Sequence, residues 1–208
     1  MIARSMDPAV AQPLFDRLYR EVAGYELSHA ERNRRGLSER SVIYGEVVPA
    51  SFHRALSEVA PRPGEVFFDV GSGTGKAVFL AALCFDFAQL VGVELLGELN
   101  AAARRVLARY DAEVRPTLPE AKRAQRIAFR DVDLRQLDLS PADVVFAHAV
   151  CFERPLVSAL TLQLERLRPG ARVISVGQRL VSPELALVRG FPVEMEWGGG
   201  FAWTYRRR

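Results

Sequence analysis

Residues 65–75 read EVFFDVGSGTG, a short apolar run that meets glycines at alternating positions 71, 73 and 75. A buried strand must end near Asp69, and the chain must then turn through backbone conformations that glycine adopts without steric cost. KAVFLAALCF follows as an apolar helix, and the alternation continues downstream. QLVGVE reads as a strand, LNAAARRVLARY as a helix with one apolar face, and RIAFRDV and ADVVFAHAV as strands. A helix from about Glu153 to Leu167 and the strand ARVISVG come next, with the turn RPG between them. Strands that alternate with helices require right-handed crossovers and so give a largely parallel sheet. The end departs from this pattern: FPVEMEW, three glycines and FAWTYRR predict an antiparallel hairpin.

Upstream, PLFDRLYREVAGYELSHAERNRRG places Leu14, Leu18, Val22 and Tyr25 at helical spacing and predicts one helix ending near Gly36. Its charged tail, ERNRRGLSER, reads as a solvated helix end. SFHRALSEVA predicts a second helix, halted by PRPG. Residues 1–40 are therefore expected to form a helical segment packed on the core or over the site, and 41–208 the main domain.

The 208 residues suffice for one domain with a full core, and a content 49% hydrophobic and 25% charged fits a soluble globular chain. A net charge of +3 gives little weight to nucleic acid as a partner. Cys84 and Cys151 lie in apolar runs and read as buried free thiols, while His29, His53 and His148 have no metal-ligand spacing. The opening MIARSMDPAV lacks the apolar core of a signal peptide, and Asp86 and Gln89 interrupt the most apolar stretch. The expected setting is cytoplasmic, with no membrane partner.

The glycine turn must then be assigned a ligand. A triphosphate-binding loop needs a glycine where Val70 stands and a hydroxyl where Ala77 stands. A nicotinamide fingerprint wants glycine or alanine at Lys76, one of two lysines in the chain. What remains is D-x-G-x-G-x-G: Asp69, Gly71, Gly73 and Gly75, followed one strand later by Glu94. An acid before the glycines favours a positively charged ligand group, and an acid ending the second strand suits a ribose diol. An adenosine carrying an amino acid satisfies both, and S-adenosyl-L-methionine is such a molecule.

IYGEVVPASFHRAL, VFFDVGSGTGKAV and VGVELLGELNAAA, in this order, resemble the Dot-type (disruptor of telomeric silencing) non-SET histone-lysine methyltransferases over about residues 42–206. The resemblance implies a class I methyltransferase, Rossmann-like fold with a mostly parallel seven-stranded sheet. It implies S-adenosyl-L-methionine as cofactor and a protein lysine as methyl acceptor. A small molecule or RNA is the alternative acceptor, and a non-catalytic binding module is a third reading. By resemblance Tyr44, Gly45 and Glu46 lie over the cofactor. Asp69, Gly71, Ser72, Gly73, Thr74, Gly75 and Lys76 wrap its methionine part, and Glu94 takes the ribose hydroxyls. Asp131, beside Val132, would receive the adenine amino group. Tyr44, Glu46 and Phe152 are the catalytic candidates; Trp197, Trp203 and Tyr205 are further candidate walls whose simpler role is core or hairpin packing. The chain departs from the family at Ala149-Val150-Cys151-Phe152, where the family has Asn-Phe-Ala-Phe. The adjacent His148 is a candidate base for another acceptor.

Overall fold

The structure is a computed structural model that describes residues 6–196 and 198–208. The candidate wall residue Trp197 and the opening residues 1–5 lie outside the described residues. Seven strands form one sheet: β1 (Val66–Val70), β2 (Gln89–Glu94), β3 (Arg126–Asp131), β4 (Val144–His148), β5 (Arg172–Val176), β6 (Leu185–Met195) and β7 (Gly198–Arg207). Their order is β3-β2-β1-β4-β5-β7-β6. All neighbours are parallel except the pairs made by β7, which is antiparallel to both β5 and β6. The expected hairpin is present, but its returning strand inserts between β5 and β6 instead of extending the edge.

Alternation along each strand divides the core into two layers. Phe67, Val144, Phe146, Ile174 and Val176 face one cluster, while Phe68, Val70, Val145, Ala147 and Val173 face the other. The first layer is covered by α1 (Pro8–Tyr19), α3 (Pro49–Ser57), α4 (Lys76–Cys84) and α5 (Gly97–Arg109). From Ala77 to Cys84 every residue of α4 is buried, as expected of a helix apolar on all sides. The buried Lys122, in the short α6 (Glu120–Arg123), closes the C-terminal end of α4. Its amine donates to the carbonyls of Ala82 at 3.2 Å and Phe85 at 3.1 Å and pairs with Asp86. The second layer is covered by α7 (Arg154–Leu164).

The single N-terminal helix expected from periodicity is two helices. The chain breaks after Tyr19 and resumes as α2 (Gly24–Arg35), which ends at Gly36 with a left-handed φ of 63°. The first residue of the resumed helix, Gly24, is tightly packed. A Cβ there would stand 2.7 Å from the Tyr44 ring and 2.8 Å from the Glu46 carboxylate. The apolar spacing runs through this point because Leu18 and Val22 both pack inward, and it carries no record of the contact. Among the described residues no helix is long and apolar enough to cross a membrane, and no group of His, Cys, Asp and Glu could hold a metal ion. Cys84 is buried, as expected, and Cys151 is half-buried.

Candidate active site

The glycine turn joins β1 to α4 through three positive φ values, 80° at Gly71, 53° at Gly73 and 86° at Gly75. Its amides point inward. Gly71 and Ser72 both donate to the Val93 carbonyl at 2.9 Å, Gly75 donates to the Ser72 carbonyl at 2.8 Å, and Gly73 donates to the Glu94 carboxylate at 2.8 Å. A phosphate cradle needs such amides free to face the anion. These four are already engaged, which removes the triphosphate reading on geometric grounds.

Glu94 anchors the other side. One carboxylate oxygen accepts from the amides of Leu95 at 2.8 Å and Leu96 at 2.9 Å, and the other accepts from Gly73. A carboxylate has about four lone-pair sites, so one remains for a ligand hydroxyl. Burial pushes the Glu94 carboxyl above its usual range, while the three amides pull it back down. The next two amides, of Gly97 and Glu98, go to the buried Glu31 of α2 at 3.1 and 2.8 Å. Glu31 thus caps the start of α5, where a carboxylate also meets the positive end of the helix dipole. The segment expected to be a solvated helix end is therefore a structural clasp. A lone Glu among arginines gave no sequence signal of this role.

The YGE segment folds down onto the glycine turn. The Tyr44 hydroxyl donates to Glu46 at 2.6 Å and meets the Thr74 hydroxyl at 2.9 Å. The Glu46 carboxylate, itself buried, forms an ion pair with Lys76, whose amine also reaches Glu196 at 3.4 Å. From α1, Tyr19 donates to the Thr74 carbonyl at 2.9 Å, and its ring lies 5.6 Å beneath the Lys76 amine. A Cβ at Gly73 would fall 2.2 Å from the Tyr44 ring. Lys76 therefore acts structurally, fastening residues 44–46 to the turn and to the end of β6. An antiparallel bridge between Val47 and Met195 continues this seam.

Beneath the segment lies a cavity of about 420 Å³ at the C-terminal ends of β1, β2 and β4. This is where ligands enter open α/β sheets, beside the strand at which the order reverses. Of the candidate residues, Tyr44, Gly45, Gly71, Glu94, Val132 and Phe152 line it, together with Arg35, Leu37 and Glu39 from the end of α2 and beyond. Glu46, Ser72, Gly73, Thr74, Gly75 and Lys76 stand behind this wall and shape it. Asp131 and Asp69 do not line the cavity either. Asp131 turns outward to pair with Arg104 at 3.0 Å, and Asp133, two residues on, lines the cavity instead. Asp69 is buried behind the wall, where desolvation and the nearby Glu94 push its carboxyl up to about 8. His148 does line the cavity, and burial lowers its imidazole to about 4. Trp203 and Tyr205 serve the hairpin: Trp203 packs beside Phe201 at 4.9 Å, and the Tyr205 hydroxyl accepts from the Leu180 amide at 2.8 Å.

Comparison with known proteins agrees with this arrangement. The histone-lysine N-methyltransferase, H3 lysine-79 specific, of Eremothecium gossypii is 26% identical over 150 residues, covering 64% of this chain and 24% of that protein. The enzyme of the same description from Debaryomyces hansenii is 27% identical over 137 residues, covering 64% of this chain and 12% of that protein. The chain thus spans a quarter or less of the length of these two relatives. Among solved structures, TrmN from Thermus thermophilus superposes with a TM-score of 0.63 at 18% identity, covering 86% of this chain and 53% of that one. An RNA methyltransferase from Salinibacter ruber, in complex with S-adenosyl-L-homocysteine, superposes with a TM-score of 0.55 at 26% identity, covering 76% of this chain and 90% of that one. The fold is that of the class I methyltransferases. The family model described as histone methylation protein DOT1 matches residues 30–187, from the Glu31 clasp through the whole parallel sheet, and the chain belongs to that family.

Proposed function

We propose that this chain is an S-adenosyl-L-methionine-dependent methyltransferase whose acceptor is a lysine amine of a protein. The observation that carries the reading is the cavity at the sheet's C-terminal edge, where Glu94 keeps one acceptor site and Tyr44 closes the roof. Its volume falls within the roughly 300–1,000 Å³ of small-molecule sites. Glu94 suits the ribose hydroxyls, Val132 and Leu134 offer apolar contact to the base, and Gly71 lets the ligand approach the backbone closely. The bound cofactor would supply an electrophilic methyl group on a sulfonium.

The chain's own residues would orient and desolvate the acceptor. An amine must present a free lone pair, and neutralising a lysine of pKa about 10.4 at pH 7 costs roughly 4–5 kcal/mol. Apolar walls such as Phe152, set against Gly71, lower that pKa by desolvation and so supply part of this cost. Burial lowers the His148 imidazole to about 4, which weakens it as a proton acceptor. The reading therefore assigns the acceleration to orientation and desolvation.

The test is calorimetry with S-adenosyl-L-homocysteine on the wild type and on Glu94→Ala, followed by transfer of labelled methyl groups to proteins of a cell lysate. Binding that weakens in the variant, with label in protein bands, is the expected result. Label confined to RNA or small solutes would reassign the acceptor, and no binding to the wild type would end the reading.

A further inference from the structure

Four successive amides follow the end of β2, and two carboxylates divide them. Those of Leu95 and Leu96 go to Glu94, and those of Gly97 and Glu98 go to Glu31. Each Glu31 oxygen takes one amide, and the Arg35 guanidinium adds a third bond at 3.0 Å. Arg34 also reaches the Glu98 carboxylate at 3.2 Å, but that pair is exposed and contributes little. The Glu31 side chain is only 4% exposed, so the hold of α2 on this loop rests on it.

The path from Glu31 to the cavity is one stretch of backbone. Peptide groups are rigid planes, so a rotation at Leu96 or Gly97 that swings the last two amides also disturbs the first two. The first two amides, with that of Gly73, aim the Glu94 carboxylate, and the lone-pair site it keeps for a ligand moves with them. We propose that Glu31 is a positioning residue for the cofactor's ribose: by fixing the Gly97 and Glu98 amides it holds Glu94 in the orientation that accepts the ribose hydroxyls. The inference rests on the methyltransferase reading of the cavity. Charge alone predicts the opposite sign. Burial is the main cause that raises the Glu94 carboxyl, and the Glu31 charge adds to it, so removing that charge would by itself make Glu94 the better acceptor.

The test is calorimetry with S-adenosyl-L-homocysteine and with its 2′,3′-dideoxyribose analogue, on the wild type, Glu31→Ala and Glu31→Gln. Glu31→Ala should weaken S-adenosyl-L-homocysteine about five- to tenfold, part of what a hydrogen bond to a charged group contributes, and the dideoxy analogue less than about twofold. Glu31→Gln keeps an oxygen for the two amides, so its loss should be smaller and again confined to the ligand with hydroxyls. The wild type supplies a readout that needs no variant to fold. Coupling is reciprocal, so at equal saturation S-adenosyl-L-homocysteine should slow exchange of the Gly97 and Glu98 amides more than the dideoxy analogue does. A purely structural cap would lower affinity for both ligands alike. Equal loss for the two ligands, no loss, tighter binding in either variant, or equal protection of the two amides would overturn the inference. Failure of S-adenosyl-L-homocysteine to bind the wild type would instead overturn the reading of the cavity.

Discussion

Replacing Lys76 by Met removes the cation that fastens the YGE segment while keeping the length of its apolar stem. Side-chain exposures of 16% for Lys76 and 6% for Glu46 make this a nearly buried ion pair. Removing one partner of a buried pair costs about 3–5 kcal/mol, because the other charge stays desolvated. The Tyr44 hydroxyl still donates to Glu46, and Lys76 is not wholly dry, so the lower end applies: about 3 kcal/mol. For a chain of this size each kcal/mol moves the midpoint by roughly 2–4 °C, giving a fall of about 6–12 °C. Undocking of residues 41–48 from the turn is the route by which the fold can limit this loss, and it would appear as faster amide exchange confined to that segment. Lys76→Met combined with Glu46→Gln should recover most of the stability, since the amide still accepts from Tyr44 and carries no buried charge. Denaturant unfolding and hydrogen exchange on the two variants give the answer. A single variant within about 0.5 kcal/mol of wild type with unchanged exchange, or a double variant no better than the single, would refute the clamp.

Gly73→Ala should weaken S-adenosyl-L-homocysteine binding: a left-handed residue other than glycine costs about 1–2 kcal/mol, and its Cβ also displaces Tyr44, as calorimetry and thermal melts would show. Glu31→Ala should cost roughly 1–2 kcal/mol through loss of the α5 cap and should accelerate exchange at the Gly97 and Glu98 amides. Asp69 binds a proton more tightly folded than unfolded, so between about pH 4 and pH 8 the native state carries the extra proton and stability falls as pH rises. Asp69→Asn should flatten that decline by up to about 1.4 kcal/mol per pH unit, read from denaturant melts across the window; an unchanged slope would show that Asp69 does not titrate there.

The parallel sheet was legible because its signals are local: each strand is a short apolar run, each helix has its own period, and the three glycines mark the turn. Glu94 was legible for the same reason, as the acid that ends the second strand. The functions of Lys76 and Glu31 were not, because each is defined by a partner far along the chain. Lys76 meets carboxylates at 46 and 196, and Glu31 meets amides at 97 and 98. Asp131 and Asp133 show a different limit. Two acids flank Val132 at the end of an edge strand, and which of them faces the cavity depends on where the strand stops and on Arg104 drawing Asp131 outward. Neither quantity is written in the local pattern. The close packing at Gly24 was hidden likewise, since the residue that forbids a side chain there is Tyr44, twenty positions away in sequence and in contact in space.

The insertion of β7 between β5 and β6 has a consequence for the order of assembly. As the chain leaves the ribosome, the five parallel strands can pair while β6 still has no neighbour to zip onto, because the strand that joins it to the sheet is made after it. The seam from Val47 to Met195 and the reach of Lys76 to Glu196 wait on the same event. Lys76 can hold Glu46 as soon as both are made, but the roof's second fastening, to the end of β6, comes from residues synthesised after those that form the cavity's floor and waits until residues 198–207 are laid in.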